Sequence, residues 1–304
     1  MLAALGNGSV LFVFIAGFLF QHNSHKFRPA RFIHSKLCNV IVPYLVWSVP
    51  ALVMFTWISR RPHAPDYVYH FAPLLRPAVF LATGTHLAPF WFIPMIALFY
   101  VAAPLLVWWD RHPRLHWLIL PLTVVGCICS RGEFPWVNAV HYVPVYLLGM
   151  CVSHHHGRAF GTMNYGAPAL AFAALALAAW QMRLEPNSPM WLNYVQKMVV
   201  SVVLLYAFWG AEQIGLDRRA GVVKRVVDRI LGDLATVSFG VFFVHGYIVP
   251  VCRDAGARLN GHHRVPGTPL FLFSLIVFTV AVSCAAVALI RTLTGRYSRL
   301  LVGA

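Results

Sequence analysis

A histidine inside an apolar stretch is the first candidate for chemistry in this sequence. His245 lies within "SFGVFFVHGYIV", residues 238–249. An ionisable side chain is costly in an apolar environment and usually serves a function there. Histidine suits general base catalysis because its pKa lies near neutral pH. We therefore take His245 as the candidate catalytic base. The alternatives are a histidine that binds substrate and a neutral, hydrogen-bonded histidine of an aromatic-rich helix.

Cations crowd the segment that follows the first apolar run. They are Arg28, Arg31 and Lys36. Such a group can bind a phosphate-bearing ligand through charge-assisted hydrogen bonds. The enrichment of Lys and Arg in cytoplasmic loops explains the same residues without a ligand. A second basic cluster, within residues 218–229, fits either the same ligand site or an amphipathic helix that faces lipid.

Two side chains border the apolar segment that begins at residue 89. Trp91, followed by Phe92 and Pro94, could line a substrate pocket, or could belong to an aromatic belt at the start of a kinked helix. His86, just ahead, could line the extracytoplasmic mouth of that pocket or be an ordinary loop histidine. We retain both residues as pocket candidates.

Neither the cysteines nor a histidine triplet predicts a metal site. The six cysteines show no CxxC pair and no zinc-finger spacing, so we expect them to be packing residues. His154, His155 and His156 are adjacent, which makes their side chains diverge, and no carboxylate or cysteine accompanies them in the loop. We therefore expect no metal and no bound cofactor.

The elements that must position these residues are membrane helices. Hydrophobic residues make up 59% of the 304 residues, charged residues 11%, and the mean hydropathy is +0.68, values that exclude a soluble domain. Because helices satisfy their own backbone hydrogen bonds in lipid, we predict an all-α polytopic bundle of about nine transmembrane helices in a single domain, residues 1–304. The predicted spans are residues 2–21, 40–58, 89–109, 117–130, 140–152, 167–180, 191–211, 234–251 and 270–290. Residues 67–87, interrupted by prolines and Arg76, suit a re-entrant or interfacial segment better.

The distribution of cations predicts the orientation. If the loop after the first span is cytoplasmic, that side holds 15 of the 24 Lys and Arg residues and the other side 9, which places the C-terminus in the cytoplasm and Met1 outside. No signal peptide is expected, because the cations follow the first apolar run instead of preceding it. The net charge of +15 is scattered at membrane borders, so lipid headgroups rather than nucleic acid are the expected counterions.

Five segments, in order, resemble the acyltransferase 3 family of integral-membrane enzymes. They are "LFVFIAGFLF", "FIHSKLCNVIVPYLVWS", "FWFIPMIALFYVAAPLL", "VHYVPVYLLGM" and "SFGVFFVHGYIV". Two departures stand out: Ala16 replaces the family's usual serine, and Asn39 falls near the second of two cations that often precede its Pro-Tyr pair. The resemblance covers nearly the whole chain.

The resemblance implies transfer of an acyl group, expected to be acetyl, from cytoplasmic acyl-CoA to a hydroxyl of a cell-envelope or secreted glycan, at the plasma membrane. It makes acyl-CoA a co-substrate and assigns Arg28, Arg31 and Lys36 to its phosphates. The family normally has ten spans, and the first carries a histidine regarded as the base. Residues 7–20 are similar to the family's second span, so we expect that base upstream of Met1, and activity only when that first helix is supplied. His245 is the candidate base inside this chain.

Two other functions remain open from the sequence. A lipid-linked sugar flippase or transporter would have a similar number of spans, although all nine acidic residues fall in predicted loops or at span borders, which argues against ion coupling. A catalytically inactive, truncated relative with a scaffold role is the other alternative.

Overall fold

The chain folds into α-helices. The computed structural model describes residues 8–62, 64–184, 187–213, 221–259, 268–295, 298 and 301, and these residues contain no β-strand. This confirms the prediction of an all-α, polytopic membrane protein. The absence of strands in the described part follows from the apolar runs, since a helix leaves no backbone hydrogen bond unmade in lipid.

We number the α-helices in chain order. They are α1 (Gly8–His22), α2 (Pro29–Ile58), α3 (Asp66–His70), α4 (Arg76–Thr83), α5 (Phe92–Val101), α6 (Ala103–Asp110), α7 (Ile119–Ile128), α8 (Pro135–His154), α9 (His156–Leu184), α10 (Met190–Gln213), α11 (Gly221–Leu259) and α12 (Pro269–Thr294). A 3₁₀ helix, Pro113–Leu118, precedes α7. Helix α2 contains two wider, π-type segments, Leu37–Ile41 and Met54–Ile58.

Each predicted span overlaps helix in the described residues. Six helical segments there are long and apolar enough to cross a membrane, a seventh results if α5 and α6 count as one, and α1 and Pro113–Ile128 are shorter apolar helices. The number of crossings therefore stays a prediction. Residues 67–87 form α3 and α4, which are too short to span.

Several predicted boundaries are wrong. The helices over residues 140–152 and 167–180 are longer than predicted, since α8 has 20 residues and α9 has 29. Both helices continue through polar residues beyond their apolar stretches. Segment 89–109 is not one continuous helix, since α5 ends at Val101 and α6 begins at Ala103. Pro104 explains the interruption: it has no N–H to donate to the carbonyl of Tyr100, and its ring clashes with that carbonyl in a continuous helix.

Two compact units make up the chain. The first comprises Met1–Pro29 and Val101–Lys224, and the second comprises Ala30–Tyr100 and Arg225–Ala304. The single domain expected from the sequence stays a prediction.

Helices α1 and α8 pack backbone to backbone in the first unit. A Cβ added at Gly17 would overlap the carbonyl of Tyr146, and one added at Gly149 would overlap the carbonyl of Phe14. Phe14 and Tyr146 are themselves buried. Small residues permit this approach, which replaces the hydrophobic driving force that membrane helices lack between them.

Helices α2 and α11 are joined in the second unit. The indole N–H of Trp47 donates to the carbonyl oxygen of Leu301 at 2.7 Å, and the hydroxyl of Tyr247 donates to the carbonyl oxygen of Trp47. Val244 of α11 and Val287 of α12 form a small buried cluster beside them. These contacts fix the face of α11 that carries His245.

Candidate functional site

Helix α2 carries a cation near its start and a buried hydroxyl farther along. Lys36 and Ser48 are twelve residues apart on this helix. At 1.5 Å per residue, the two positions are separated by about 18 Å along the helix axis. The second unit therefore holds a charged group and a buried polar group at two depths of the same helix.

The ammonium group of Lys36 is held by aromatic rings. It lies 5.4 Å from the ring centroid of Phe32 and 5.3 Å from that of Tyr100, and these rings pack edge to face at 5.8 Å. A cation over aromatic faces is attracted by their negative quadrupole. The side chain is half-buried, and no carboxylate among the described residues lies within ion-pair distance of it.

The two arginines assigned to the donor site are exposed. Arg28 belongs to the first unit and Arg31 to the second, where it lies in the first turn of α2. Neither forms a hydrogen bond or ion pair with another described residue. Of the second basic cluster, Arg218 and Arg219 lie outside the described residues.

His86 is fully buried in the connection between α4 and α5. Its Nδ1 lies 3.0 Å from the carbonyl oxygen of Phe80, and its Nε2 lies 2.8 Å from Oγ of Ser48. Ser48 is also fully buried, and its Oγ lies 2.7 Å from the carbonyl oxygen of Tyr44. The predicted mouth residue is thus an interior residue of the second unit.

These contacts determine the tautomer of His86. A carbonyl only accepts, so Nδ1 must carry the proton that it donates to Phe80. Burial lowers the pKa of His86 from 6.5 to about 4; the hydrogen bond to Phe80 raises this pKa, and the charge of Arg61 lowers it. The ring is therefore neutral near pH 7, and its Nε2 has a lone pair. The single hydroxyl proton of Ser48 can be donated either to this atom or to the carbonyl oxygen of Tyr44.

Aromatic rings connect His86 to helix α11. The ring of His86 lies 5.3 Å from that of Phe90, and Phe90 in turn stacks on Phe242 at 6.3 Å. The ring of Phe242 lies 5.8 Å from His245. His86 and His245 thus belong to one aromatic cluster, in which two rings separate them.

His245 is half-buried, and its position is set by its own helix. Its Nδ1 lies 3.0 Å from the carbonyl oxygen of Val241, one turn earlier, so Nδ1 carries the proton. In the neutral ring the lone pair is therefore on Nε2, and this atom has no hydrogen-bond partner among the residues that the structure describes. A neutral imidazole with an available Nε2 is the form that a general base requires.

Trp91 is half-buried at the start of α5. Its ring lies 6.1 Å from that of Phe92, and Phe92 lies 5.9 Å from Phe242. Trp91 is thus connected to the same cluster through Phe92. Pro94 is the third residue of α5, in the first turn where proline is tolerated, so the kink suggested for it does not occur there.

Ser48, the buried partner of His86, was not singled out from the sequence. It lies 38 positions from His86, and nothing in the local sequence connects the two. The available signal was a serine four residues after Tyr44 in an otherwise apolar helix, which places both on one helical face. That spacing predicts a hydroxyl bonded to its own helix but not its histidine partner.

Comparison with known proteins identifies the family. The sequence model of the acyltransferase 3 family, described as an acyltransferase domain, matches residues 4–288. The chain belongs to the acyltransferase 3 family. It is accordingly a multi-pass membrane protein and a membrane acyltransferase. No curated protein and no solved structure matches the chain.

The structure gives physical roles to the segments that carry the acyltransferase 3 resemblance. Gly17 of "IAGF" and Gly149 of "LLGM" are the residues where α1 and α8 touch. Gly246, next to His245, faces Pro89, whose Cγ a Cβ would meet at 2.8 Å. In this acyltransferase, a glycine after the histidine therefore lets α11 approach the connection that holds His86.

Proposed function

We propose that this acyltransferase moves an acyl group, most simply acetyl, from cytoplasmic acyl-CoA to a hydroxyl of a cell-envelope or secreted glycan at the plasma membrane. The observation that supports this is the arrangement along α2: a cation at its start, and a buried hydroxyl bonded to a neutral histidine about 18 Å farther along. Acyl-CoA has the corresponding layout, with phosphates at one end of a long arm and a thioester at the other.

The cations suit the phosphate end of the donor. Arg28, Arg31 and Lys36 have no acidic partner among the described residues, so a bound phosphate would not have to displace a carboxylate. Arginine can bind phosphate with two parallel hydrogen bonds, and lysine acts as a point charge. The ring faces of Phe32 and Tyr100 restrict Lys36, which reduces the entropy lost when a ligand binds.

His245 is the proposed base within this chain. Its Nε2 would accept the proton of the acceptor hydroxyl as that oxygen attacks the thioester carbonyl. The carbon–sulfur bond then breaks, and the released thiolate of CoA takes up the proton that His245 holds, which restores the neutral base. His245 fits this role better than His86, because Nε2 of His86 already bonds Ser48 and the ring is fully buried. We assign His86 and Trp91 to the pocket wall.

A transfer assay tests this proposal. The purified protein in lipid nanodiscs is supplied with radiolabelled acetyl-CoA and an envelope glycan, and alkali-labile label on the glycan is counted. We expect His245→Gln to lower kcat about 100-fold or more, as removal of a general base does. The matched control is His25→Gln, an exposed histidine that bonds only the backbone carbonyl of His22, and it should retain activity.

The possible results separate the alternatives. Equal activity of His245→Gln and the unaltered protein would exclude His245 as the base. The same protein reconstituted in vesicles tests the flippase. Absence of transfer with every acyl-CoA, together with movement of a lipid-linked sugar across the vesicle membrane, would refute acyl transfer and indicate the flippase. Comparison of acetyl-CoA with longer acyl-CoAs determines the acyl group.

A further inference from the structure

A second group of chemically reactive side chains lies in the first unit, away from the residues discussed above. Asp110 ends α6, His116 lies in the 3₁₀ helix Pro113–Leu118, and α8 contributes Cys151 and His154, with His155 directly after its end. We call these five residues the His116 cluster.

Metal-ligating atoms in the His116 cluster approach closely. Nδ1 of His116 lies 3.2 Å from Nε2 of His155 and 3.7 Å from Sγ of Cys151. Beside them, Nδ1 of His154 lies 2.9 Å from a carboxylate oxygen of Asp110. One nitrogen of His116 also lies within 4.8 Å of ligand atoms of both Asp110 and His154, so His116 connects the two groups.

The end of α8 explains why adjacent histidines converge. Cys151 and His154 are three residues apart and lie on one helical face. His155 leaves the helix, with φ −97° and ψ 10°, and its ring lies 4.7 Å from that of His154. Diverging rings, with no cysteine or carboxylate in the same loop, were expected. The rings of His154 and His155 instead lie close together, and Cys151 of α8 and Asp110 of α6 lie beside them.

Hydrogen bonding satisfies the two nitrogens of His116 unequally. His116 is buried, and its Nε2 has no partner among the described residues. Its Nδ1 faces a second imidazole nitrogen and a sulfur, and an imidazole pair at this distance shares only one proton. A metal ion at Nδ1 would take the place of this shared proton and bind both nitrogens and the sulfur, while Nε2 of His116 would carry the ring proton.

We propose that the His116 cluster binds one Zn²⁺ ion through His116, Cys151 and His155, with the fourth position filled from the Asp110–His154 pair. Ligand atoms of tetrahedral zinc lie about 3.3–3.7 Å apart, given bonds of about 2.0 Å to nitrogen and 2.3 Å to sulfur. The observed separations of 3.2 and 3.7 Å are close to these values. Mixed imidazole and thiolate ligands favour zinc over magnesium or calcium.

Asp110 is oriented from a third helix. The side-chain amide of Gln21, in α1, donates to its second carboxylate oxygen at 3.3 Å. Outer contacts of this kind fix a ligand's geometry in metal sites. The ion would therefore join the ends of α6 and α8 with α1, which gives it a structural role in the first unit.

Cobalt substitution tests the site without relying on enzymatic activity. The full-length protein, purified in detergent without a polyhistidine tag, is stripped with a chelator and titrated with Co²⁺ and then Zn²⁺. We expect one metal ion per chain and a thiolate-to-cobalt charge-transfer band that Zn²⁺ abolishes. Cys151→Ser should remove the band. It should also weaken Zn²⁺ binding by more than the roughly 10–100-fold that results from mutating a residue that only hydrogen-bonds to a metal ligand.

Matched variants control for non-specific metal binding. Cys129→Ser and His112→Gln alter a cysteine and an exposed histidine of the same unit outside the cluster, and both should bind like the unaltered protein. Should Cys151→Ser not yield monodisperse protein, His155→Gln must show the same weakening of Zn²⁺ binding. A monodisperse, unaltered protein that binds no metal, or a charge-transfer band that survives Cys151→Ser, overturns the proposal.

Discussion

The buried neutral histidine makes a quantitative prediction about acid stability. His86 has a pKa lowered from 6.5 to about 4 in the folded protein, chiefly by burial. The unfolded chain therefore binds a proton on this residue at a higher pH than the folded chain does. The stability contributed by the neutral ring is present above pH 6.5 and is lost as the pH falls through about 4.

The magnitude follows from the size of the pKa change. The drop from 6.5 to about 4 corresponds to roughly 3 kcal/mol, at about 1.4 kcal/mol per pH unit. The ring is fully buried, so solvent does not screen this penalty. It arises because protonation places a charge among the rings of Tyr44, Phe80 and Phe90.

Equilibrium unfolding in mixed micelles at a series of pH values measures this effect. The variant His86→Gln lacks the titrating group, so the difference in unfolding free energy between the unaltered protein and the variant should shrink by roughly 3 kcal/mol as the pH falls. His25→Gln, which alters an exposed histidine, should run parallel to the unaltered protein. A pH dependence identical in His86→Gln and the unaltered protein would refute the buried, neutral assignment.

Three further predictions follow from the helices and the cations. Lys36→Ala should raise the KM for acyl-CoA by about 10–100-fold, since a charge-assisted phosphate contact is worth about 1.5–3 kcal/mol; unchanged donor dependence would leave Lys36 as a topological cation only. Gly149→Val should greatly reduce folded yield because its side chain would overlap the backbone of α1, whereas Gly166→Val, with nothing within 4 Å, should not; equal yields in a fluorescence-detected gel-filtration assay would contradict the packing. Single cysteines at Ser24 and Ser298, in a cysteine-free background, should both resist an impermeant thiol reagent applied to intact cells, and labelling of only one would disprove the predicted orientation.

The sequence predicted local and compositional features well. Apolar runs predicted where helices lie, because each run by itself decides whether a segment can enter lipid. The interruptions at Pro73 and Pro77 predicted that residues 67–87 would not form a span, which the two short helices confirm. The boundaries were less accurate, since polar residues continue a helix once neighbouring elements satisfy them, as at the end of α8.

The sequence by itself determined the helical membrane fold, the family and the candidate residues, because each depends on contiguous stretches of chain. Only the tertiary structure decided which side chains meet. Ser48 forms a hydrogen bond with His86, 38 positions away in the sequence, and His116 contacts Cys151, 35 positions away. These contacts depend on which faces two packed helices turn toward each other. The backbone approach of α1 and α8 shows the same division: the segments holding Gly17 and Gly149 resemble the family, but only packing shows that each glycine admits the other helix.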